Sequence, residues 1–391
     1  MDINTLLLTP RMGRIPMSSQ NSLPGLYALV KQFYEPHFKM VEVGSLEGIS
    51  TLLFAGCTEK VYSVDYYDYK VPETGRIPEH DQMFKEAERM FISRTKNVGN
   101  IVKIRKKSVD AAKDFADGSL DAVYIDAEHD EDSVREDIRT WRPKLKRGGI
   151  LSGHDFNLPY MEKILIDEEG FAPQQIIVAP DTSWGIRIPT IDLVAVACTK
   201  VPETVDALRK CQEQMLFNRT ILFTDEDIKA EGIDIIKIEK LDYVKYNEFV
   251  AMELWKYVAS DYALLVQNDG FITNGKLWTE GFLRWDYIGA PWPIPNDETT
   301  YRTPKGRLIR VGNGGFSLRS RKLLRAPVCL GLKFSDNGTG FPHEDGFLCV
   351  HNRETLEEYG IKFAPIDIAA KFSTELTVAE TVESFGRHKY L

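Results

Sequence analysis

The sequence predicts an α/β protein of two domains, residues 1–188 and 189–391, on three observations. Strand-like and helix-like periods alternate along the whole chain, the pattern of sheets covered by helices rather than of segregated classes. The chain has 391 residues, too many for one core of ordinary size and suited to two of about 190 residues each. A fresh, near-continuous apolar run, Ile191–Cys198, starts just after Ile188-Pro189, as the central parallel strand of a second sheet should.

In the first domain the periodicity predicts a helix over about Leu23–Phe33, then a buried strand Lys39–Val43 and a helix from about Ser50. A strand Lys60–Val64 leads into a polar, proline-containing insertion, and Asp81–Thr95 reads as an amphipathic helix. Strands Ile101–Arg105, Ala122–Ile125 and Gly149–Ser152 follow, with a helix over about Glu131–Arg139 between the last two. Pro143 and the pair Gly148-Gly149 mark the turn into the last strand. The second domain repeats the rhythm after Ile191–Cys198: a helix near Thr204–Met215, strands Thr220–Phe223 and Ile233–Ile238, a helix near Asn247–Val258 and a strand Tyr262–Val266. No internal repeat joins the halves.

Composition narrows the function. Apolar residues make up 43% and charged residues 27%, as in a globular enzyme, and the net charge of −9 lacks the basic stripe of a nucleic-acid binder. The short basic run Lys103, Arg105, Lys106, Lys107 reads as a solvated strand end. Five cysteines, none in a CxxC pair, give no disulfide framework and read as buried apolar residues in a reducing compartment. The N-terminal apolar run is too short for a signal peptide, and no segment approaches the ~18 apolar residues of a membrane span. The expected location is cytoplasmic.

Chemistry in the first half centres on Val41-Glu42-Val43-Gly44-Ser45-Leu46-Glu47-Gly48, a strand entering a glycine-spaced turn before a helix. Glycines let backbone approach a ligand, and a helix start offers free N–H groups. The spacing GxxxG differs from the GxGxxG of a dinucleotide site, which disfavours NAD. Asp65 ends the next strand, where a carboxylate can accept from a ribose diol, although a solvated loop aspartate is also compatible. Turn, acid and alternation together resemble the class I S-adenosylmethionine-dependent methyltransferases. The resemblance implies a Rossmann-like sheet and a cofactor site of Glu42, Gly44, Ser45, Gly48, Asp65 and Ser108.

The strand Ala122–Ile125 ends in Asp126-Ala127-Glu128-His129, and the strand Gly149–Ser152 ends in Gly153-His154-Asp155. Neighbouring strands would set Asp126 facing Asp155 across the cofactor's methyl group. Two carboxylates there suit a divalent cation, Mg or Mn, holding a sugar or catechol-like diol, and His129 could deprotonate the accepting hydroxyl. The other reading makes Asp126 a helix cap and His154 a packing residue. The segment from Tyr124 to Phe156 is similar to the methyltransferase subgroup that contains metal-dependent sugar O-methyltransferases. It departs from them at Ala127-Glu128, which bears on how substrate is held.

In the second half the strand Tyr262–Val266 runs into Gln267-Asn268-Asp269-Gly270. An acid so placed can hold a cation that neutralises a leaving diphosphate, or simply close a turn. The aromatic-rich Trp285–Trp292 suits stacking on sugar faces or core packing. Three glycines in Gly312-Asn313-Gly314-Gly315 suit close approach to a sugar or a tight hairpin. The acids of His343-Glu344-Asp345 can deprotonate an acceptor or cap a helix. In this order the motifs, with Phe385-Gly386-Arg387-His388, resemble a family of glycosyltransferase-like domains of the A-type fold. The resemblance implies Asp345 or Glu344 as base, Asp269 and His388 as metal ligands, and Trp292, Asn313, Gly314 and Gly315 at the substrate. Gln267 replaces the first acid of the family's Asp-x-Asp, which bears on metal dependence.

The combined expectation is a bifunctional enzyme that O-methylates a sugar hydroxyl and transfers a sugar from a nucleotide-sugar donor to a glycan acceptor, with no nucleic-acid partner. Two alternatives remain open: a methyltransferase whose C-terminal domain only binds glycan, and a methyltransferase of small phenolic molecules.

Overall fold

The computed structural model describes residues 16–67, 78–335, 342–375 and 383–389. The N-terminal apolar run and most of the proline-containing insertion lie outside the described residues. The chain divides into two compact units, Met1–Ile188 and Pro189–Leu391. No helix among the described residues is long and apolar enough to cross a membrane.

The first unit is built on strands β1 (Lys39–Val43), β2 (Lys60–Val64), β3 (Ile101–Ile104), β4 (Leu120–Ile125), β5 (Leu145–Gly153), β6 (Ile177–Val178) and β7 (Trp184–Arg187). They lie in the order β3-β2-β1-β4-β5-β7-β6. The pairs from β3 to β5 are parallel, while β7 runs antiparallel to β5 and to β6. That last hairpin is absent from the sequence reading, because two- and four-residue strands carry too little alternation to register. Helices α1 (Pro16–Phe33), α2 (Ile49–Ala55), α3 (Pro78–Thr95) and α4 (Glu131–Trp141) connect or flank the strands. Alternate residues of one strand feed separate cores. Val41, Val43, Val123 and Ile125 join one apolar cluster, and Met40, Ala122, Tyr124 and Ile150 join another. Both faces are thus covered, which is why these strands read as continuous apolar runs.

The second unit holds β8 (Ile191–Val196), β9 (Arg219–Thr224), β10 (Asp234–Lys237), β11 (Tyr262–Val266), β12 (Phe271–Ile272), β13 (Tyr287–Gly289), β14 (Phe316–Ser320), β15 (Ser373–Glu375) and β16 (Gly386–His388). Its main sheet has the order β10-β9-β8-β11-β14-β13, and a small sheet has the order β12-β16-β15. The main sheet is mixed: β8 to β11 pair in parallel, and β14 runs against both β11 and β13. Helix α5 (Val201–Gln214) follows β8. The helix expected near Asn247–Val258 begins earlier, at Tyr243, capped by Asp242, and continues as a π turn and a 3₁₀ turn to Lys256.

Candidate functional site

In each main sheet the connections leave a central strand pair in opposite directions, between β1 and β4 and between β8 and β11. Ligands of open α/β sheets bind beyond the carboxyl ends of the strands at such a point.

Hydrogen bonds build the first site by continuing the ladder one residue past each strand. Asp65 N donates to Ile104 O at 3.1 Å, Gly44 N to Val64 O at 2.9 Å, Asp126 N to Val43 O at 2.8 Å and His154 N to Ile125 O at 3.0 Å. Gly44, Asp65, Asp126 and His154 therefore stand in a row along one edge. Gly44 sits at φ 86°, and a Cβ there would meet Asp126 O at 1.9 Å. The close approach of two strand ends requires glycine.

Beyond this edge lies a cavity of about 1090 Å³ lined by Gly44, Ser45, Asp65, Ser108, Asp126, His129, His154 and Asp155, among others. Asp65 shapes the glycine turn: Oδ2 accepts from Ser45 N at 3.1 Å and Leu46 N at 2.8 Å, and Oδ1 accepts from Tyr67 N at 2.9 Å. Burial still raises its carboxyl above the ordinary range, against these bonds. Glu42 is fully buried and does not line the cavity. It accepts from the hydroxyls of Ser50 and Thr51, tying β1 to the start of α2, and burial pushes its carboxyl up to about 8. Gly48, at φ 81°, precedes α2 and packs toward Phe91. Lys106 and Lys107, read from sequence as a solvated strand end, lie along the cavity.

At the other end, Asp155 bridges two imidazoles. Its Oδ2 lies 2.9 Å from His129 Nδ1, and its Oδ1 lies 2.8 Å from His154 Nδ1. The two imidazoles hold its carboxyl well below the usual carboxylate range. The bond to Asp155 raises the His129 imidazole, against burial. Burial opposes the charged form of His154, but the bond to Asp155 and the nearby carboxylates outweigh it, pushing the imidazole up to about 9. Backbone contacts fix both loops: Tyr160 Oη donates to His129 O, and Trp184 Nε1 donates to His154 O at 3.1 Å. Asp126, His154 and Asp155 each offer a ligand atom within 4.8 Å of the others, a set able to hold a metal ion. Sequence reasoning gave His154 no certain role; its signal was the position one residue past β5.

In the second unit the small sheet brings the C-terminal segment to the end of β11. His388 Nε2 lies 3.2 Å from Gln267 Oε1 and 3.5 Å from Asp269 Oδ1. His388 is 7% exposed, with Glu375 Oε1 3.9 Å from its Nδ1. Hydrogen bonding to His388 lowers the Asp269 carboxyl. Gly315 lies against this imidazole: an added Cβ would meet Nε2 at 2.0 Å. The preceding Gly314 donates its N–H to Asp345 Oδ2 at 3.2 Å, and burial with the Glu344 charge pushes Asp345 up to about 7.

Beside Asp345, Glu344 is paired with Arg319, which sequence reasoning missed. Arg319 Nη2 lies 2.8 Å from Glu344 Oε2, and both side chains are buried. Its sequence signal, one arginine within the apolar alternation of Phe316–Ser320, is weak. Asn313 is buried, its Oδ1 accepting from Gly315 N at 3.1 Å. Trp292 is also buried, stacked on Tyr301 with ring centroids 4.4 Å apart.

Within the first unit, residues 41–156 match the family model described as a methyltransferase domain. That match supports S-adenosylmethionine as the cofactor. Residues 236–388 match the model described as a protein of unknown function, DUF5672. No curated protein matches the chain. Among solved structures the chain is similar to an rRNA methylase from Streptococcus thermophilus, at 13% identity over 45% of this chain and 96% of that one, TM-score 0.30. It is also similar to Aeropyrum pernix fibrillarin bound to S-adenosyl-L-methionine, at 15% identity over 41% and 72%, TM-score 0.30. A SAM-dependent O-methyltransferase from Thermotoga maritima matches at 12% identity over 47% and 69%, TM-score 0.31.

Proposed function

We propose that the first unit methylates a hydroxyl group, with His129 as the base. The carrying observation is the pairing of His129 Nδ1 with Asp155 at 2.9 Å. A carboxylate on Nδ1 selects the tautomer with its proton there and leaves Nε2 to accept one. His129 is exposed beside the cavity that holds the glycine turn, so a substrate hydroxyl can reach it. S-adenosylmethionine, when bound, would supply an electrophilic methyl group and depart as the neutral thioether, and His129 Nε2 would take the proton of the substrate hydroxyl that attacks it. Asp126, His154 and Asp155 have the oxygen and nitrogen donors to hold a divalent cation. Such an ion would draw a substrate diol to the site and acidify the attacking hydroxyl.

For the second unit the reading is sugar transfer from a nucleotide-sugar donor. Its support is the convergence of Gln267, Asp269 and His388 at the end of β11, with Asp345, its carboxyl raised to about 7, hydrogen-bonded to Gly314 of the adjoining glycine loop. Asp269 and His388 would hold a divalent cation at the diphosphate, and Asp345 would deprotonate the acceptor hydroxyl. One glycan serving both units gives the fusion a purpose, since tethering raises effective concentration without new contacts.

A thermal-shift series on the full chain tests the pair of readings. S-adenosylhomocysteine, and separately nucleoside diphosphates with Mn²⁺, should each raise the melting temperature. A response to the first alone would make the second unit a glycan-binding module; no response to either would remove both readings.

A further inference from the structure

The first cavity carries a further carboxylate, Asp181, which the chemistry at His129 leaves unused. Along the order β3-β2-β1-β4-β5-β7-β6, Asp65 and the glycine turn stand at β2 and β1, and Asp126 and His154 stand at β4 and β5. Next along this edge comes the tip of the β6–β7 hairpin. Three contacts hold it there: Gly153 pairs with Trp184, Trp184 Nε1 donates to His154 O at 3.1 Å, and Phe156 N donates to Thr182 O at 3.0 Å. Asp181 sits in this tip, 9% exposed, and lines the cavity with Tyr124 and with Leu23 and Leu26 of α1. Helix α1 passes against it at Gly25, where an added Cβ would fall 2.3 Å from Asp181 Oδ1.

Local bonds use only part of this carboxylate. Its Oδ1 accepts from Ser183 N at 3.2 Å, and its Oδ2 accepts from Ser183 Oγ at 2.9 Å. Ser183 thereby gives its one hydroxyl proton to Asp181 and accepts from Tyr124 Oη at 3.0 Å. Asp181 keeps about two of the roughly four acceptor positions of a carboxylate. Among the described residues no cationic side chain lies within ion-pair distance of it. Lys106 and Lys107 also line the cavity, but they lie beside Ser108, past β3 at the far end of the row. Near the hairpin, the carboxylates of Asp126, Asp155 and Asp181 face the two imidazoles of His129 and His154, a negative excess even with both imidazoles charged. A divalent ion on Asp126, His154 and Asp155 would leave Asp181 unanswered, because Asp181 lies outside that donor set. A buried carboxylate without a counter-charge is costly. A hydroxyl on the acceptor fills a hydrogen-bonding position but brings no charge, an acidic acceptor is repelled, and an ammonium supplies both.

We propose, on the reading of this cavity as the site of hydroxyl methylation, that the acceptor is an amino sugar whose ammonium group Asp181 binds, with Leu23 and Leu26 against the apolar face of its ring. Methylation by the full chain from labelled S-adenosylmethionine, near neutral pH, tests it. The acceptors are aminohexosides with the amine at different ring carbons, each beside its N-acetylated form and the parent hexoside. For at least one position the amine should be favoured in kcat/KM by about tenfold or more, the scale of a charge-assisted hydrogen bond. Asp181→Asn should reduce that preference to under about threefold. The amide oxygen of Asn can still accept from Ser183 N, and Ser183 Oγ can accept from the amide nitrogen and donate to Tyr124, so the hairpin keeps its bonds. The preference is a ratio within one protein and does not depend on how much of the variant is folded. Equal use of amine and N-acetyl forms at every position, or an undiminished preference in Asp181→Asn, overturns the proposal. Methylation of none of these sugars by a chain that binds S-adenosylhomocysteine in calorimetry overturns it as well. Failure to bind S-adenosylhomocysteine removes the reading of the cavity itself, a distinguishable result.

Discussion

His129 Nδ1 and Asp155 Oδ2 are 2.9 Å apart, and the same carboxylate reaches His154 Nδ1 through its other oxygen at 2.8 Å. One aspartate thereby orients two imidazoles contributed by different loops. If His129 is the base, His129→Gln should lower methyl transfer by about 10²–10⁴-fold, the usual contribution of a positioned base. Binding of S-adenosylhomocysteine should stay within a few-fold of wild type. Steady-state rates alongside calorimetry separate the two effects.

The test at Asp155 calls for asparagine. Asp155 lies at φ 58°, a left-handed conformation that Asn tolerates and Ala adopts only with strain. Asp155→Asn keeps the backbone but removes the charge shared by both imidazoles, so methylation should fall at least about 100-fold with little change in melting temperature. Asp155→Ala should lose melting temperature as well, which differential scanning calorimetry can measure.

Glu42 gives a stability prediction with a definite sign. Its carboxyl is raised from 4.5 to about 8 in the folded chain, so the folded state binds this proton more tightly than the unfolded state. The group's contribution is fully present below about 4.5 and is lost as pH climbs through 8. Glu42→Gln should melt close to wild type at pH 5 and roughly 2 °C or more above it at pH 9. Thermal melts across that range would show the two curves diverging upward in pH; parallel curves would contradict the assignment.

Asp345 makes a complementary prediction for activity. Because burial and Glu344 push its carboxyl up to about 7, the base form accumulates only above that pH. If the second unit transfers sugar with Asp345 as base, its rate should rise through neutrality and level off. Asp345→Asn should lose about 10²-fold or more and abolish that limb of the pH–rate profile.

Gly315→Ala probes the packing behind the second site. The new Cβ would fall 2.0 Å from His388 Nε2, forcing the imidazole from Gln267 and Asp269. Nucleoside diphosphate affinity in the presence of Mn²⁺ should drop about tenfold or more, read by calorimetry. Unchanged affinity would separate His388 from the ligand.

Much of the first sheet was legible because its strands are buried on both faces. Val41, Val43, Val123 and Ile125 give the apolar runs, and the residue after each run falls at the carboxyl edge. What remained hidden depends on distance along the chain. Glu42 and Asp65 look alike in sequence as acids beside a glycine turn, yet one is buried between strand and helix and the other organises the turn. His388 meets Gln267 across 121 residues, and only the small sheet brings them together. Glu344 reads in sequence as a candidate base or helix cap and Arg319 carries no assigned role; their pairing inside the second unit is a tertiary fact.

The most direct measurement of the central claim is methyl transfer from labelled S-adenosylmethionine by the full chain, with a panel of sugar and catechol acceptors, comparing wild type with His129→Gln. The account predicts a labelled methyl ether with wild type and at least about 100-fold less with the variant. Equal label incorporation by both proteins would contradict it.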